Sequence, residues 1–225
     1  MRTLLYIPII HSGADMGSMA AEISRKGVEE FGKDFWETHI STVNKYWEGI
    51  AHYCQNLEIG AKGLKIYQDG MVADGEIAVR IIEDSLKAGS KNYEIISGLV
   101  SRGAVVVRTE ELWMVKKELE MLKLIPTSGA LIVKLFRIFR FKILRSKLLK
   151  QRDKFIAGRI AETLGNDETG IIFLGAYHNI LKYLPGDISV KEVKEIRKIK
   201  EYQKLLPAQS REKLRFKALS EYLMN

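Results

Sequence analysis

The chain has a single cysteine, few prolines and no long uncharged apolar run. Its one cysteine, Cys54, excludes an internal disulfide and a cysteine-based zinc cluster, and a lone thiol is typical of a reducing, cytoplasmic compartment. Only four prolines and the lack of low-complexity tracts argue against a long disordered linker. No stretch is long and charge-free enough to span a bilayer, so we expect no transmembrane segment.

The signatures of several common enzyme classes are also missing. The chain contains no Walker phosphate loop, no GxGxxG after a strand, no CxxC pair, no HExxH and no GxSxG. The usual nucleotide-binding and serine-hydrolase classes are therefore disfavoured. The apolar run at residues 3–10 is soon interrupted by His11, Ser12 and Asp15, so it predicts a buried strand rather than a signal peptide.

What is present is the composition of a globular protein with a basic charge balance. The 225 residues are 46% hydrophobic and 28% charged, which suits one large α/β domain or two small ones. We predict a single α/β domain over residues 1–225, in which residues 130–150 could form a helical insertion because the composition shifts there. A net charge of +8 suits nucleic acid, an anionic membrane surface or a small anionic ligand, and equally a protein that is simply basic.

Short apolar runs alternate with amphipathic stretches along the chain. Strands are predicted at residues 3–10, 64–67, 104–107 and 171–174, with an edge strand at 188–193. Helices are predicted at 18–30, 34–56, from 74 onwards, at 93–101, from 109 to about 125, at 130–164 and in the charged tail. This alternation predicts an α/β fold with a mainly parallel sheet and helices on both faces.

Two of these helices carry expectations about individual side chains. The apolar stripe of the helix at 34–56 includes Ile40, and the stripe of the next helix includes Ile77. His39 and His52 are thirteen residues apart, which places them on nearly opposite sides of their helix. Because they cannot share a ligand, we expect both to be surface histidines.

The stretch at residues 170–178 organises the predicted site. Four apolar residues between Gly170 and Gly175 predict a short central strand of a parallel sheet. Gly175 would let the backbone turn sharply where the strand ends. His178 then follows the carboxyl end of that strand, where open α/β sheets hold their ligands.

Polar residues follow the other predicted strands as well. His11 and Asp15 come after the first strand, Asp69 after the second and Glu110 after the third. If the strands are parallel, these residues and His178 lie along one edge of the sheet. Two neutral imidazoles with carboxylates could bind a divalent metal ion, with His11 and His178 as ligands, and the ion could activate a water molecule. Alternatively, a histidine could act as a general base that a carboxylate orients.

Each of these residues also has a purely structural interpretation. A loop histidine often satisfies backbone groups, and the carboxylates could cap helices. Thr109 could cap the helix that follows it, which would place Glu110 in the first helical turn. Arg152 could hold an anionic ligand or an active-site carboxylate, or it could form a surface salt bridge with Asp153.

The stretch 134–154 is basic and interleaved with aromatic residues. Nucleic acid could bind there through three arginines, Arg137, Arg140 and Arg145. The same stretch resembles a basic amphipathic helix of the kind that lies on membranes. A third interpretation is a solvated basic face over a packed apolar stripe formed by residues 132, 135, 136, 139 and 143.

Two segments together resemble a known superfamily. The first is Arg152-Asp153-x-Phe155-Ile156-Ala157-x-Arg159-Ile160, and the second is Ile171-Ile172-Phe173-Leu174-Gly175-Ala176-Tyr177-His178. They resemble the C-terminal part of the TraB/TIKI and erythromycin-esterase/ChaN-like superfamily, where an Arg-Asp or Arg-Asn helix precedes a strand that ends in Gly-x-x-His. A second such motif is expected after the first strand, and here His11 is kept while the glycine is not. The resemblance implies an α/β fold and, for some members, metal-dependent hydrolysis by the two histidines with nearby acids.

Three functions therefore stay open. The first is a metal-assisted hydrolase of a small molecule or peptide, with His11 and His178 as ligands or acid/base groups and with assistance from Asp15, Asp69 or Glu110. The second is a non-catalytic protein that binds nucleic acid or another polyanion through the basic helix at 134–152. The third is a homo-oligomeric structural protein whose apolar helix stripes form subunit contacts.

Overall fold

The computed structural model describes residues 1–13, 15, 20–58, 63–123 and 131–225, without the side chains of residues 118, 119, 121–123 and 131–143. Five strands lie in this part of the chain: β1 (Arg2–Ile9), β2 (Leu64–Gln68), β3 (Val105–Val107), β4 (Thr169–Gly175) and β5 (Ile188–Glu192). The described helices are α1 (Ala20–Phe31), α2 (Lys33–Gln55), α3 (Gly75–Lys87), α4 (Lys91–Ser101), α5 (Leu112–Lys123), α6 (Leu131–Thr163), α7 (Ile196–Leu205) and α8 (Lys213–Met224).

The strands form one parallel sheet in the order β3-β2-β4-β1-β5. β4 lies in the middle and pairs with β2 on one side and with β1 on the other. Its residues 171–174 are fully buried, as an apolar strand covered on both faces requires. β5 pairs with β1 at the end of the sheet. The predicted α/β fold, the parallel sheet and the edge strand are confirmed.

Helices cover both faces of the sheet. On one face, residues of α2, α3, α4, α7 and α8 share a large apolar core with strand residues such as Phe173. On the other face, the C-terminal part of α6 packs Ile156 and Ile160 in a second core with Ile172 and Leu174. Successive residues of β4 therefore point into different layers, which fixes the register of the strand against both sets of helices.

Packing between helices changes the burial of several predicted positions. Ile40 and Ile77 are assigned to apolar stripes by the sequence, yet they are 42% and 62% exposed. His39, expected at the surface, is half-buried, and its Nδ1 lies 2.7 Å from the hydroxyl of Tyr202 in α7. His52 is exposed as expected. The periodicity of one helix does not show which neighbours will cover it.

The α6 helix is continuous for 33 residues. Near its middle it meets α5 in a small cluster that includes Met114 and Leu148. Arg152 and Asp153 lie between this cluster and the part of the helix that packs on the sheet. Within the part of the chain that the structure describes, no helix combines the length and the apolar character needed to cross a membrane.

Candidate active site

The candidate site begins where β2 and β4 end side by side. The backbone amide of Asp69 donates to the carbonyl of Phe173 at 2.9 Å, so pairing continues one residue beyond β2. The Oδ2 atom of Asp69 then accepts a hydrogen bond from the amide of Gly175 at 3.2 Å. The amide of His178 donates to the carbonyl of Gly175 at 3.0 Å, which closes a tight turn after β4. Adjacent strand ends thus bring the Asp69 carboxylate to the turn that carries His178.

Gly175 has a role that differs from the predicted one. The turn is present, but Gly175 is not among the residues with a left-handed backbone. A Cβ atom at this position would lie 3.4 Å from the Asp69 Oδ2 atom and 3.6 Å from Cδ2 of His178. Glycine here leaves room for these two side chains to approach the strand end.

His178 is oriented by Asp153, which the sequence did not single out as a site residue. The Nδ1 atom of His178 lies 2.7 Å from Oδ1 of Asp153, and the amide of Asn179 donates to Oδ2 of Asp153 at 3.1 Å. The two ionisable side chains are only 6% and 3% exposed. Because an ionised carboxylate can only accept, the proton of the neutral imidazole is on Nδ1. The Nε2 atom is then the free acceptor, 3.6 Å from Oδ2 of Asp69.

The surroundings of His178 and Asp69 favour the charged form of both side chains. Burial lowers the pKa of His178, but the hydrogen bond to Asp153 and the charge of Asp69 outweigh it and raise that pKa above its ordinary value. Burial likewise opposes ionisation of Asp69. The charges of His178 and Arg152 and the Gly175 amide nevertheless hold the pKa of Asp69 below its usual range. Asp69 is therefore a carboxylate at neutral pH.

Arg152 links α6 to the ends of two strands. Its Nε atom donates to Oε1 and Oε2 of Glu110 at 2.8 and 2.9 Å, and its Nη2 atom donates to Oδ1 of Asp69 at 2.8 Å. The Arg152 side chain is 9% exposed and that of Glu110 is fully buried. Burial raises the pKa of Glu110, and the guanidinium opposes that rise. The alternative of a surface salt bridge between Arg152 and Asp153 is wrong, because both side chains are buried at the sheet edge.

Glu110 reaches the site because the segment after β3 is tied to the segment after β2. The amides of Thr109 and Glu110 donate to the carbonyl of Met71 at 2.9 and 3.0 Å, and the Thr109 hydroxyl donates to the carbonyl of Gln68. Thr109 therefore does not cap a helix, and α5 begins only at Leu112. The structural interpretation of Glu110 as a residue of the first helical turn is corrected: its carboxylate is held by Arg152 instead.

The two residues predicted after β1 are placed differently from the rest. His11 is exposed, and its charge adds the weakest of the effects that lower the pKa of Asp69. Asp15 accepts hydrogen bonds from the amide and hydroxyl of Ser12 at 2.7 and 2.8 Å, and from the hydroxyl of Ser90, the N-cap of α4. Asp15 thus fastens its loop to α4, while Asp69, Glu110, Arg152 and His178 form the cluster.

The donor atoms only partly fit a metal ion. Nε2 of His178 and Oδ2 of Asp69, 3.6 Å apart, could both lie about 2.1 Å from one ion. Among the described residues, however, no group of three or more His, Cys, Asp or Glu side chains is placed to hold a metal. Protein metal sites commonly use three or four protein ligands. The divalent ion bound by His11 and His178 stays a prediction, and no step proposed below depends on it.

The predicted nucleic-acid contacts fall mostly outside the described side chains. Arg145 is exposed on α6, whereas the side chains of Arg137 and Arg140 are among those that the structure does not describe. Arg152, at the end of the basic stretch, is buried against Glu110 and Asp69. It therefore does not contribute to an external basic surface.

Two buried site residues were not predicted from the sequence. Asp153 could have been found from helix phase, since Arg152, Ile156 and Ile160 lie on the face that covers the sheet and Asp153 adjoins that face. Tyr6 in β1 is buried, with its hydroxyl 3.5 Å from the carbonyl of Gly175. Burial and the charges of Asp69 and Asp153 raise the pKa of Tyr6, so it stays a neutral phenol.

No protein-family model, curated protein or solved structure matches this chain. The resemblance to the TraB/TIKI and erythromycin-esterase/ChaN-like superfamily therefore stays a prediction. What can be said of function depends on the geometry at the carboxyl edge of the sheet.

Proposed function

We propose that the protein is a hydrolase in which His178 exchanges protons with the attacking water. The observation that supports this is the buried pair of Asp153 and His178 at 2.7 Å, which leaves Nε2 free beside the Asp69 carboxylate. A histidine oriented by a carboxylate is a recurring arrangement in general acid–base catalysis. It also lies at the sheet edge where α/β folds hold their ligands.

In the proposed reaction, neutral His178 accepts a proton from water at Nε2 while the water oxygen bonds to the electrophilic centre of the substrate. The imidazolium that forms is stabilised by Asp153 at Nδ1. Asp69 accepts the second hydrogen of the water and so directs its lone pair. When the bond to the leaving group breaks, Nε2 returns its proton to the leaving atom, and the enzyme regains its starting state.

Arg152 is a positioning residue in this scheme. It fixes Oδ1 of Asp69 at 2.8 Å and connects it to Glu110. The cluster contains three carboxyl groups, those of Asp69, Glu110 and Asp153, but only one guanidinium, that of Arg152. An added positive charge on His178 during the reaction is therefore favoured by its surroundings.

A panel of chromogenic substrates tests the proposal: a carboxylic ester, a phosphoester and an anilide of a small peptide. The wild-type protein should turn over at least one class, and His178→Ala should reduce that turnover by about 10²- to 10⁴-fold. The matched control is His52→Ala, because His52 is exposed on α2 and its side chain contacts Asn56. Turnover of no class, or full activity of His178→Ala, would contradict the proposal.

Metal analysis decides whether the predicted divalent ion takes part. The wild-type protein is equilibrated with Zn²⁺ or Mn²⁺ and desalted, and its metal content is compared with that of His11→Ala and His178→Ala. Bound metal that both substitutions remove would support the two-histidine site. Equal metal content in all three proteins would remove His11 and His178 as ligands.

A cytoplasmic location is the setting that we infer for this reaction. It is supported by Cys54, which is buried and unpaired in α2 and is the only cysteine of the chain. Recovery of the protein from an oxidising compartment upon cell fractionation would contradict this inference.

A further inference from the structure

A second group of polar side chains lies beside the candidate site, at the start of α4. Ser90, the N-cap of α4, donates its hydroxyl hydrogen to Oδ1 of Asp15. Two residues further along the helix, Nδ2 of Asn92 donates to Oε1 of Gln68 at 2.9 Å. Gln68 immediately precedes Asp69, and its Nε2 atom donates to the carbonyl of Asp69 at 3.2 Å. These contacts connect Asp15 to the strand end that carries Asp69.

Among the residues that the structure describes, the carboxylate of Asp15 is held by neutral donors only. Its Oδ2 atom accepts from the amide and the hydroxyl of Ser12, and its Oδ1 atom accepts from Ser90. The neighbouring positions 14 and 16–19 contain no lysine or arginine. A carboxylate offers roughly four acceptor positions, and the three hydrogen bonds leave one of them open. Asp15 can therefore accept another hydrogen bond, and its charge favours a cationic donor.

Asn92 supplies an acceptor that lacks a donor. The residue is 3% exposed, and its Oδ1 atom is buried without a hydrogen-bond partner in the described part of the chain. The other end of the same amide is directed at Gln68, so the unmatched atom needs a donor. A buried acceptor without a donor costs free energy, which a ligand that supplies the donor would regain.

The charges at the start of α4 are also unbalanced. Burial raises the pKa of Tyr93 to about 12, and the charges of Asp69 and Asp15 contribute to the rise. Both carboxylates therefore lie near this phenol, which stays neutral. Lys91 in the same helical turn is exposed, and its Nζ atom is paired with Glu94 at 2.9 Å. The α4 side of the site thus has a negative potential.

We propose that the substrate carries a protonated amino group, which binds at the start of α4 to Asp15 and to the amide oxygen of Asn92. An ammonium group has three donors and no acceptor, which matches a carboxylate and an unpaired carbonyl oxygen. An anionic group would be repelled by Asp15 and Asp69, and a neutral hydroxyl group would form weaker hydrogen bonds. The proposal rests on the proposed function, since it names the charge of the substrate on which His178 would act.

Two probes of similar size test the proposal on the full chain. At about pH 6.5, L-alaninamide carries a protonated amino group, whereas L-lactamide has a hydroxyl group in its place. NMR titration of the wild type should give a dissociation constant for alaninamide that is roughly tenfold lower than that for lactamide. Asp15→Asn keeps an acceptor for the serine hydroxyls but removes the charge, and should reduce this preference to about twofold or less. The matched control is Glu94→Gln, an exposed carboxylate of the same helix, which should keep the wild-type preference.

A second variant separates the charge of Asp15 from its hydrogen bonds to the loop. Asp15→Glu keeps the charge and should retain a preference for alaninamide, while circular dichroism checks that each variant folds. Four results would overturn the proposal: equal affinity of the wild type for both probes, no binding of alaninamide, an unchanged preference in Asp15→Asn, or loss of the preference in Glu94→Gln or Asp15→Glu.

The binding measurement also distinguishes this proposal from the proposed function. A protein that prefers alaninamide as expected but hydrolyses no class of substrate would support the amino-group site and contradict the hydrolase. A protein that hydrolyses matched esters of L-alanine and L-lactate with equal kcat/KM would support the hydrolase and overturn the amino-group site.

Discussion

The imidazole of His178 faces two carboxylates that hold it in different ways. Asp153 accepts from Nδ1 at 2.7 Å and from the amide of Asn179 at 3.1 Å, so it fixes the orientation of the ring. Asp69 lies 3.6 Å from Nε2 and is itself held by Gly175 and Arg152. One carboxylate therefore orients the ring, and the other faces the nitrogen that exchanges protons.

For the His178 side chain we predict that the free energy of unfolding differs between the wild type and His178→Gln by an amount that depends on pH. The folded-state pKa of His178 is raised, so the stabilisation from its protonated form is fully present below its ordinary value of 6.5 and is lost as pH rises through the raised pKa. Urea denaturation should therefore show a larger difference in the free energy of unfolding at about pH 6 than at about pH 9.

The pH dependence of His39 does not affect this comparison. Burial lowers the pKa of His39, so its contribution runs the other way: it is present above the ordinary pKa of 6.5 and is lost as pH falls through the lowered value. His39 is the same in both proteins and cancels from the difference. A difference that is equal at both pH values would contradict the ion pairing of His178.

The α6 helix is held on the sheet by the hydrogen bonds of Arg152 to Glu110 and Asp69 as well as by apolar packing. We expect Arg152→Ala to destabilise the protein by about 3–5 kcal/mol, because it leaves the buried carboxylate of Glu110 and the partly exposed carboxylate of Asp69 without their cation. Arg215→Ala is the control, since Arg215 is 59% exposed in its pair with Glu201 and should cost less than about 1 kcal/mol. Chemical denaturation measures both. Similar small effects would mean that Arg152 is not held as described.

The two glycines near the ends of β4 give a second prediction. A Cβ atom at Gly170 would lie 3.0 Å from the Tyr67 ring and 3.2 Å from Leu4, so Gly170→Ala should overpack the core and cost about 1–3 kcal/mol. At Gly175 the nearest atom would be at 3.4 Å, and Gly175→Ala should cost less. Thermal denaturation compares the two variants. A larger loss for Gly175→Ala would contradict the described packing.

The residues that meet at the carboxyl edge of the sheet could be predicted by one rule: the ends of parallel strands lie at the same edge. That rule correctly brought Asp69, Glu110 and His178 to one edge. The rule does not predict which face of α6 covers the sheet. Asp153 was therefore missed, and for Arg152 both a site role and a surface salt bridge stayed open. The rule also does not predict the path of the loop after β1, where Asp15 accepts a hydrogen bond from the hydroxyl of Ser90 and does not join the cluster around Arg152. Local patterns specify elements, but tertiary packing decides which polar side chains meet.

For the whole molecule, the sheet, the site and the α6 helix have a simple relation. The sheet order places β4 at the centre, so His178 emerges from the middle of the carboxyl edge rather than from a margin. The α6 helix covers one face of the sheet, supplies two site residues at the edge and then extends outwards.

The role of His178 as the group that exchanges protons with water is tested by the pH dependence of kcat/KM for a turned-over substrate, in the wild type and in Asp153→Asn. We predict that wild-type activity rises with pH as His178 loses its proton, through a pKa above its ordinary value of 6.5. In Asp153→Asn, the loss of the carboxylate should move that rise to lower pH and reduce the plateau. A rise at the same pH and height in both proteins would contradict the assignment of His178 as the group that exchanges protons with water.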